Sequence, residues 1–291
     1  MKSKTKRKLQ PYLFISPFFI LYAIFGLYPT VSGFALSLQD KAGQFTMSNY
    51  QKVFADQRFW KAISNAAVYM MGSIFIILPV ALIAALMLNS KYMGKKSGIV
   101  STIFFLPNVT SVIVIGIVFK LVLRVNNGLL NTALQTLHMI DRPIKFLSDP
   151  FWAMPSILLI GTWRFFGVNS LYFLSGLQGI PAELGEAARI DGAGKWKEFW
   201  YITLPLLKPI MTYIVFMAIT GSFAMFGEVL TLVQNGSSVG SRDSMLFPVI
   251  YLYNSMFKNN QSNRAAAMGY VIAVILLLIT SVQRWLFRDK D

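Results

Sequence analysis

Residues 62–90 read AISNAAVYMMGSIFIILPVALIAALMLNS, 29 consecutive positions without a charged side chain. An α-helix rises about 1.5 Å per residue, so about 20 apolar residues cross the roughly 30 Å hydrocarbon core of a bilayer. This run is long enough. It lacks the polar–apolar alternation of an outer-membrane barrel strand. Lipid gives backbone N–H and C=O groups no partner, so the run is expected to form a helix, whose backbone bonds close within the segment.

The same reading extends in both directions. Leu9–Gln39 carries no charge over 31 positions, Ser97–Phe119 over 23, and Pro209–Gly227 and Ala265–Gln283 over 19 each. Pro150–Ala182 is interrupted only by Arg164. Six spans are therefore expected near residues 12–37, 62–89, 98–122, 152–177, 209–233 and 264–286. The fold class expected is an all-α integral membrane protein with six transmembrane helices. Composition agrees: 55% of the 291 residues are hydrophobic and 13% charged, and the mean hydropathy is +0.55.

The net charge of +15 would suggest nucleic acid on a soluble chain. Here it is read as loop charge that sets orientation, and no nucleic-acid module is visible. A basic cluster, Lys2, Lys4, Lys6, Arg7 and Lys8, precedes the first span. That span is too long for a signal-peptide core and lacks a small-x-small cleavage site, so it is read as a retained helix. With the N-terminus inside, the inner segments take 15 of the 27 basic residues and the outer ones 10. Both termini, 1–11 and 287–291, are expected in the cytoplasm, flanking a transmembrane domain at 12–286. There is no cysteine and a single histidine, His138. Disulfides, thiolate metal sites and histidine clusters are thereby excluded, and no catalytic constellation can be assembled.

The polar segment 178–208 is the most informative. Pro181 suits the first turn of a helix, Glu183 and Glu186 suit its positive N-terminal end, and Gly192 suits its stop. Leu184, Ala187, Ala188 and Asp191 fall at i, i+3, i+4 and i+7, on one face. The segment predicts a short surface helix with a strip of small residues. Trp196, Phe199 and Trp200 then lie to one side of a second stretch, and Leu204-Pro205 and Lys208-Pro209 bend the chain into the fifth span. On the residues alone, a docking surface and a plain joint between two spans fit equally well. Gly192-Ala193-Gly194-Lys195 imitates part of a phosphate-binding loop. Arg189 and Trp196 occupy positions where that loop needs Gly and Ser/Thr.

Within the spans, Phe165, Asn169, Tyr172 and Phe173 fall near i, i+4, i+7 and i+8 and form an expected polar and aromatic stripe. Helix-to-helix packing is the competing role for Asn169. Arg164 and Glu228 are intramembrane charges, which are costly and usually face a cavity or a partner. Snorkelling to the outer interface is the competing role for Glu228, and Lys120 is expected to snorkel. The prolines and glycines of the first three spans are read as ordinary membrane-helix composition.

The loop resembles the signature of ABC importer permeases. Glu186-Ala187-Ala188, three residues, Gly192, nine residues and Ile202-Thr203-Leu204-Pro205 match its spacing. The match extends to the longer sugar-permease form LxGLQxIPxELxEAAxxDGAxxWxxFxxITLPxLxP, through Leu174, Gly176-Leu177-Gln178, Ile180-Pro181, Glu183-Leu184, Asp191-Gly192-Ala193, Trp196 and Phe199. Asn49-Tyr50, Phe59-Trp60, Phe104–Pro107, Gly128–Asn131 and Ala265–Gly269 resemble the family elsewhere, so the likeness covers nearly the whole chain. Thr231–Ser237 departs from the family's Thr-x-Gly-Gly-Pro. The chain also looks like the shorter six-helix form of the maltose-type sugar permeases, without an extra outer domain or added N-terminal helices.

The resemblance implies a type I ABC importer permease in a bacterial-type cytoplasmic membrane. It implies a coupling helix between spans four and five that docks on a cytoplasmic ATPase dimer. Glu186, Ala187, Ala188, Asp191 and Gly192 would form the docking strip, and Leu204 and Pro205 would fix the loop's return. It further implies a second permease subunit, an extracytoplasmic solute-binding protein, and sugar contacts on the fourth and fifth helices. This chain would hold no cofactor, and ATP and Mg would sit on the ATPase. Permeation of a polyol, glycerol phosphate or amino acid is an alternative, as is an ion-coupled secondary transporter.

Overall fold

The computed structural model describes residues 2–90, 93–94, 96–232 and 239–288, and for residues 2–11 the backbone alone. Met1, Lys91, Lys95, Val233 and residues 289–291 lie outside the described residues. They belong to the expected terminal segments, the inner segment 90–97 and the end of the fifth span.

Among the described residues, four continuous helices are long and apolar enough to cross a membrane: Tyr12–Ser37, Gln57–Leu88, Pro150–Gln178 and Ser262–Phe287. Two more crossings are bent pairs. Lys96–Val109 meets Val112–Val122 at 92°, and Lys195–Leu206 meets Lys208–Phe223 at 66°. Counting each pair once gives six spans, as expected from the apolar runs.

The third and fifth spans correct the sequence-based reading. The expected single helix over 98–122 breaks at Thr110-Ser111, where Ser111 is extended at φ −55°, ψ 130°. Pro107 lies inside the first half. It removes an amide donor and crowds the carbonyl four residues back, which weakens the helix ahead of the break. The expected span 209–233 ends as regular helix at Phe223. The chain then passes through Ala224–Phe226 into a short helix, Gly227–Leu232.

Prolines leave a second mark. The π-helical turns Ala23–Leu27, Ser73–Ile77 and Phe199–Thr203 are each centred four residues before a proline, Pro29, Pro79 and Pro205 respectively. The pyrrolidine ring collides with the carbonyl at that position in a regular helix, and widening the turn by one residue relieves the collision.

The chain divides into two compact units, 1–56 with 252–273, and 57–251 with 274–291. In the first unit, Asn263 Nδ2 donates to the Gln39 carbonyl at 2.8 Å. Asn49 Nδ2 donates to Ser37 and Gln39 carbonyls at 3.0 and 2.8 Å. Arg264 pairs with Asp56, and Tyr270 donates to the Thr30 carbonyl. These bonds tie the C-terminal end of the first helix to the start of the last.

The second unit holds the larger core. Leu78, Ala81, Ala85 and Leu88 pack with Phe173, Leu174 and Leu177 of the fourth span and Leu207, Ile214 and Ile219 of the fifth. Ala81 and Ala85 are fully buried, and such small side chains let helices approach closely. The fourth span also approaches the third closely at Gly167, where an added Cβ would fall onto the Phe104 backbone carbonyl.

Candidate functional site

A cavity of about 400 Å³ opens between the second, third, fourth and fifth spans. The second span contributes Tyr69 and Ser73, and the third contributes Asn108 beside its break. The fourth gives Phe165, Asn169 and Tyr172; the fifth and the segment after it give Met217, Ser222, Met225 and Glu228. Hydroxyls, amides, aromatic rings and methionines thus line one space in the hydrophobic part of the chain. Asn169 Nδ2 donates to the Phe165 carbonyl at 2.9 Å. That bond holds the amide without using its side-chain oxygen. Tyr172 packs edge-on against Tyr213 at 5.4 Å between ring centroids.

Three of the four stripe residues expected from the sequence reach the cavity. Phe173 does not. It is 3% exposed and packs in the apolar core with Leu78 and Leu174. At about 100° per residue, Asn169 and Tyr172 lie within roughly 40° of Phe165, whereas Phe173 lies roughly 80° away. The stripe is therefore narrower than its spacing suggests.

Glu228 is 9% exposed and pairs with Arg164. The pairing leaves no room for the snorkelling alternative. Arg164 sits to one side, in a small enclosed gap with Ile157, Ile160 and Leu232. Its guanidinium carbon stands 4.9 Å from the centroid of the Phe165 ring. Glu228 borders both that gap and the cavity, whereas Arg164 borders only the gap. Removing one member of such a pair typically costs about 3–5 kcal/mol, because the other charge stays buried and uncompensated.

Tyr69, Ser73 and Asn108 were not singled out by sequence reasoning. Asn65, Tyr69 and Ser73 repeat every four residues within the 62–90 apolar run, and this was the available signal. Asn65 itself serves elsewhere, as its Nδ2 donates to the carbonyls of Asp243 and Leu246 at 2.9 and 2.8 Å. Asp243 in turn accepts from Arg58 at 2.7 and 2.8 Å. This knot holds the stretch after the fifth span against the second. Of the departure Thr231–Ser237, residues 233–237 lie outside the described residues.

The second feature is the helix Ala182–Ile190, entered through Pro181 and followed by Asp191. Gly192 is left-handed, at φ +82°, the conformation that helix ends reserve for glycine. The Ala193 amide reaches back to the Ala188 carbonyl at 2.8 Å and closes the cap. No residue of this helix is buried; Ile190 is 86% exposed and Trp196 76%. Glu186, Ala187, Ala188, Asp191 and Gly192 thus stand on an exposed rod. The chain leaves through Leu204 and Pro205 to fully buried Leu207, where the 66° bend occurs.

A brace that sequence reasoning missed links this rod to the next helix. Arg189 donates to both carboxylate oxygens of Glu198, at 3.0 and 2.9 Å. Gly185 makes room: a Cβ there would lie 2.7 Å from Glu198 Oε1. The brace holds the Glu198 carboxyl below its ordinary range and raises Arg189 above its own.

Residues 77–290 match the family model described as binding-protein-dependent transport system inner membrane component. The arabinooligosaccharides transport system permease protein of Bacillus subtilis is 36% identical over 283 residues, 95% of this chain and 88% of that protein. The lactose transport system permease protein of Rhizobium radiobacter is 32% identical over 284 residues, 96% of this chain and 94% of that protein. In fold, the chain is similar to a chain of a bacterial alginate ABC transporter crystallised with an alginate pentasaccharide-bound periplasmic protein. The TM-score is 0.86 at 23% identity, over 99% of this chain and 97% of that one.

Proposed function

The chain belongs to the family of binding-protein-dependent transport system inner membrane components, and on that premise we propose that it forms half of the path by which an ATP-driven importer takes up a sugar or oligosaccharide. The observation that carries this reading is the cavity, whose mixture of rings, amides and hydroxyls suits a polyhydroxy solute. Phe165, Asn169, Tyr172 and Glu228 face the solute, and Arg164 holds Glu228 in place. The relatives named for arabinooligosaccharides and lactose support a saccharide over a polyol or glycerol phosphate.

The exposed rod Ala182–Ile190 is the coupling element in this reading. Its alanine face seats in a cleft of a separate cytoplasmic ATPase subunit, with Glu186, Ala187, Ala188, Asp191 and Gly192 at the contact. Leu204 and Pro205 lead its motion through the buried Leu207 into the fifth span. ATP and Mg belong to that ATPase, and this chain is a transport subunit rather than an enzyme. A second permease completes the path, and a solute-binding protein delivers the sugar from outside. Both termini and the rod lie on the cytoplasmic side of a bacterial-type inner membrane. The cavity then alternates between the two faces by rigid-body rocking of the spans.

Uptake by proteoliposomes holding both permeases and the ATPases tests this. Labelled oligosaccharide enters only with internal ATP and external binding protein. Uptake that needs neither, and that collapses with an uncoupler, would overturn the reading in favour of an ion-coupled transporter.

A further inference from the structure

The cavity has a sign. Among the described residues, its lining includes Glu228 and no lysine, arginine or histidine. The nearest counter-charge, Arg164, lies outside the lining; it pairs with Glu228 and stands against the Phe165 ring, with its Nε buried and without a hydrogen-bond partner. Arg164 pairs with Glu228 at Oε1, while Glu228 also borders the cavity. The remaining polar lining is neutral: Tyr69, Ser73, Asn108, Asn169, Tyr172 and Ser222.

We propose that Glu228 is a specificity-determining residue: it makes the cavity selective for uncharged saccharides and against anionic ones, such as uronates and sugar phosphates. The proposal rests on the saccharide-path reading above. A neutral hydroxyl donates to the carboxylate and gains a charge-assisted hydrogen bond. A carboxylate or phosphate on the solute cannot donate and meets the negative end of the buried pair. Reaching Arg164 would require breaking that pair, which is strongly disfavoured in a desolvated setting. Like charges brought together where water is scarce discriminate by large factors, and exclusion by repulsion is a general source of specificity.

The test uses the complete importer in proteoliposomes, with lactose and arabinobiose as neutral probes and digalacturonate as the anionic probe. Uptake of each is measured for wild type, for Glu228→Gln, and for the doubly neutral Arg164→Gln/Glu228→Gln, which leaves no lone charge and guards against a folding defect. The quantity read is the anionic-to-neutral uptake ratio of a variant divided by that of wild type. The same binding protein serves every arm, so its own preference cancels. The expected result is a rise of about five-fold or more in both variants, the order set by removing one like-charge contact. An unchanged ratio in the double variant, including undetectable digalacturonate uptake throughout, overturns the specificity role alone. Failure of the wild type to take up any saccharide overturns the path reading and this inference with it.

Discussion

Replacing Gly167 by alanine tests whether the fourth span is seated on the third as described. The added Cβ would fall well inside contact distance of the Phe104 carbonyl oxygen and 3.2 Å from Phe104 Cα. The obstacle is backbone, so no rotamer change relieves it. The two helices must part, and the Phe104–Phe166 ring contact at 5.0 Å must open with them. Overpacking of a closed interface costs about 1–3 kcal/mol. For a chain of this size, that lowers a melting temperature by roughly 2–10 °C. Gly98→Ala is the control. Gly98 is helical, and an added Cβ there meets nothing within 4 Å, so helix propensity alone favours the change by up to about 1 kcal/mol. Thermal unfolding of the purified protein in one detergent reads both variants. A Gly167→Ala protein as stable as wild type, or two variants equally destabilised, would refute the packing.

Asn169→Ala should lower sugar uptake while leaving membrane abundance near wild type, whereas Phe173→Ala should lower abundance and melting temperature, by about 3–5 kcal/mol of stability. Immunoblots and uptake on the same vesicles separate the two. Arg189→Glu should uncouple ATP hydrolysis from binding-protein stimulation, and Arg189→Glu/Glu198→Arg should restore it; stimulated ATPase activity is the readout. Because the folded Glu198 carboxyl titrates below its free value, the brace contributes above the free glutamate range and is lost only as pH falls through the lowered value. Protease resistance of the rod should therefore be level from neutral pH down to about pH 5 and fall below it. The chain lacks cysteine, so Ile190→Cys should react with an impermeant maleimide only from the cytoplasmic face. Labelling from outside would contradict the proposed orientation.

How much of this was written in the sequence differs from segment to segment. Runs with few or no charges disclosed the six crossings because lipid penalises charge wherever it lies along a span. The rod was legible because its ends carry local signals, Pro181 before and Gly192 after, and its Ala strip is periodic. The break at Thr110-Ser111 was not. Pro107 marks a weakness, but a similarly placed Pro29 or Pro79 only widens a turn, and the neighbouring packing decides between the outcomes. The cavity was half legible. Periodicity places Asn169 and Tyr172 on a common face, yet in a span apolar all round it does not say which face has no neighbour. Phe173 fell on the wrong side for that reason. Tyr69 and Ser73 were overlooked because a hydroxyl within an apolar run looks like packing until the opposite wall is known. The Arg189–Glu198 brace joins two helices across a turn, and nothing in the spacing reports it.

The widened turns ahead of Pro29, Pro79 and Pro205 carry a consequence for azimuth. Each inserts one residue into the helical count, so everything downstream is turned by about 100° relative to a regular continuation. In the second span, the half bearing Tyr69 and Ser73 and the half bearing Ala81 and Ala85 are thus set out of phase by one ring. A Pro79→Ala chain free to close that turn would swing its alanines away from Phe173 and Leu177 and shift Ile77 and Leu78, which also line the cavity. A single ring pressed against one carbonyl therefore sets the compass bearing of half a membrane helix.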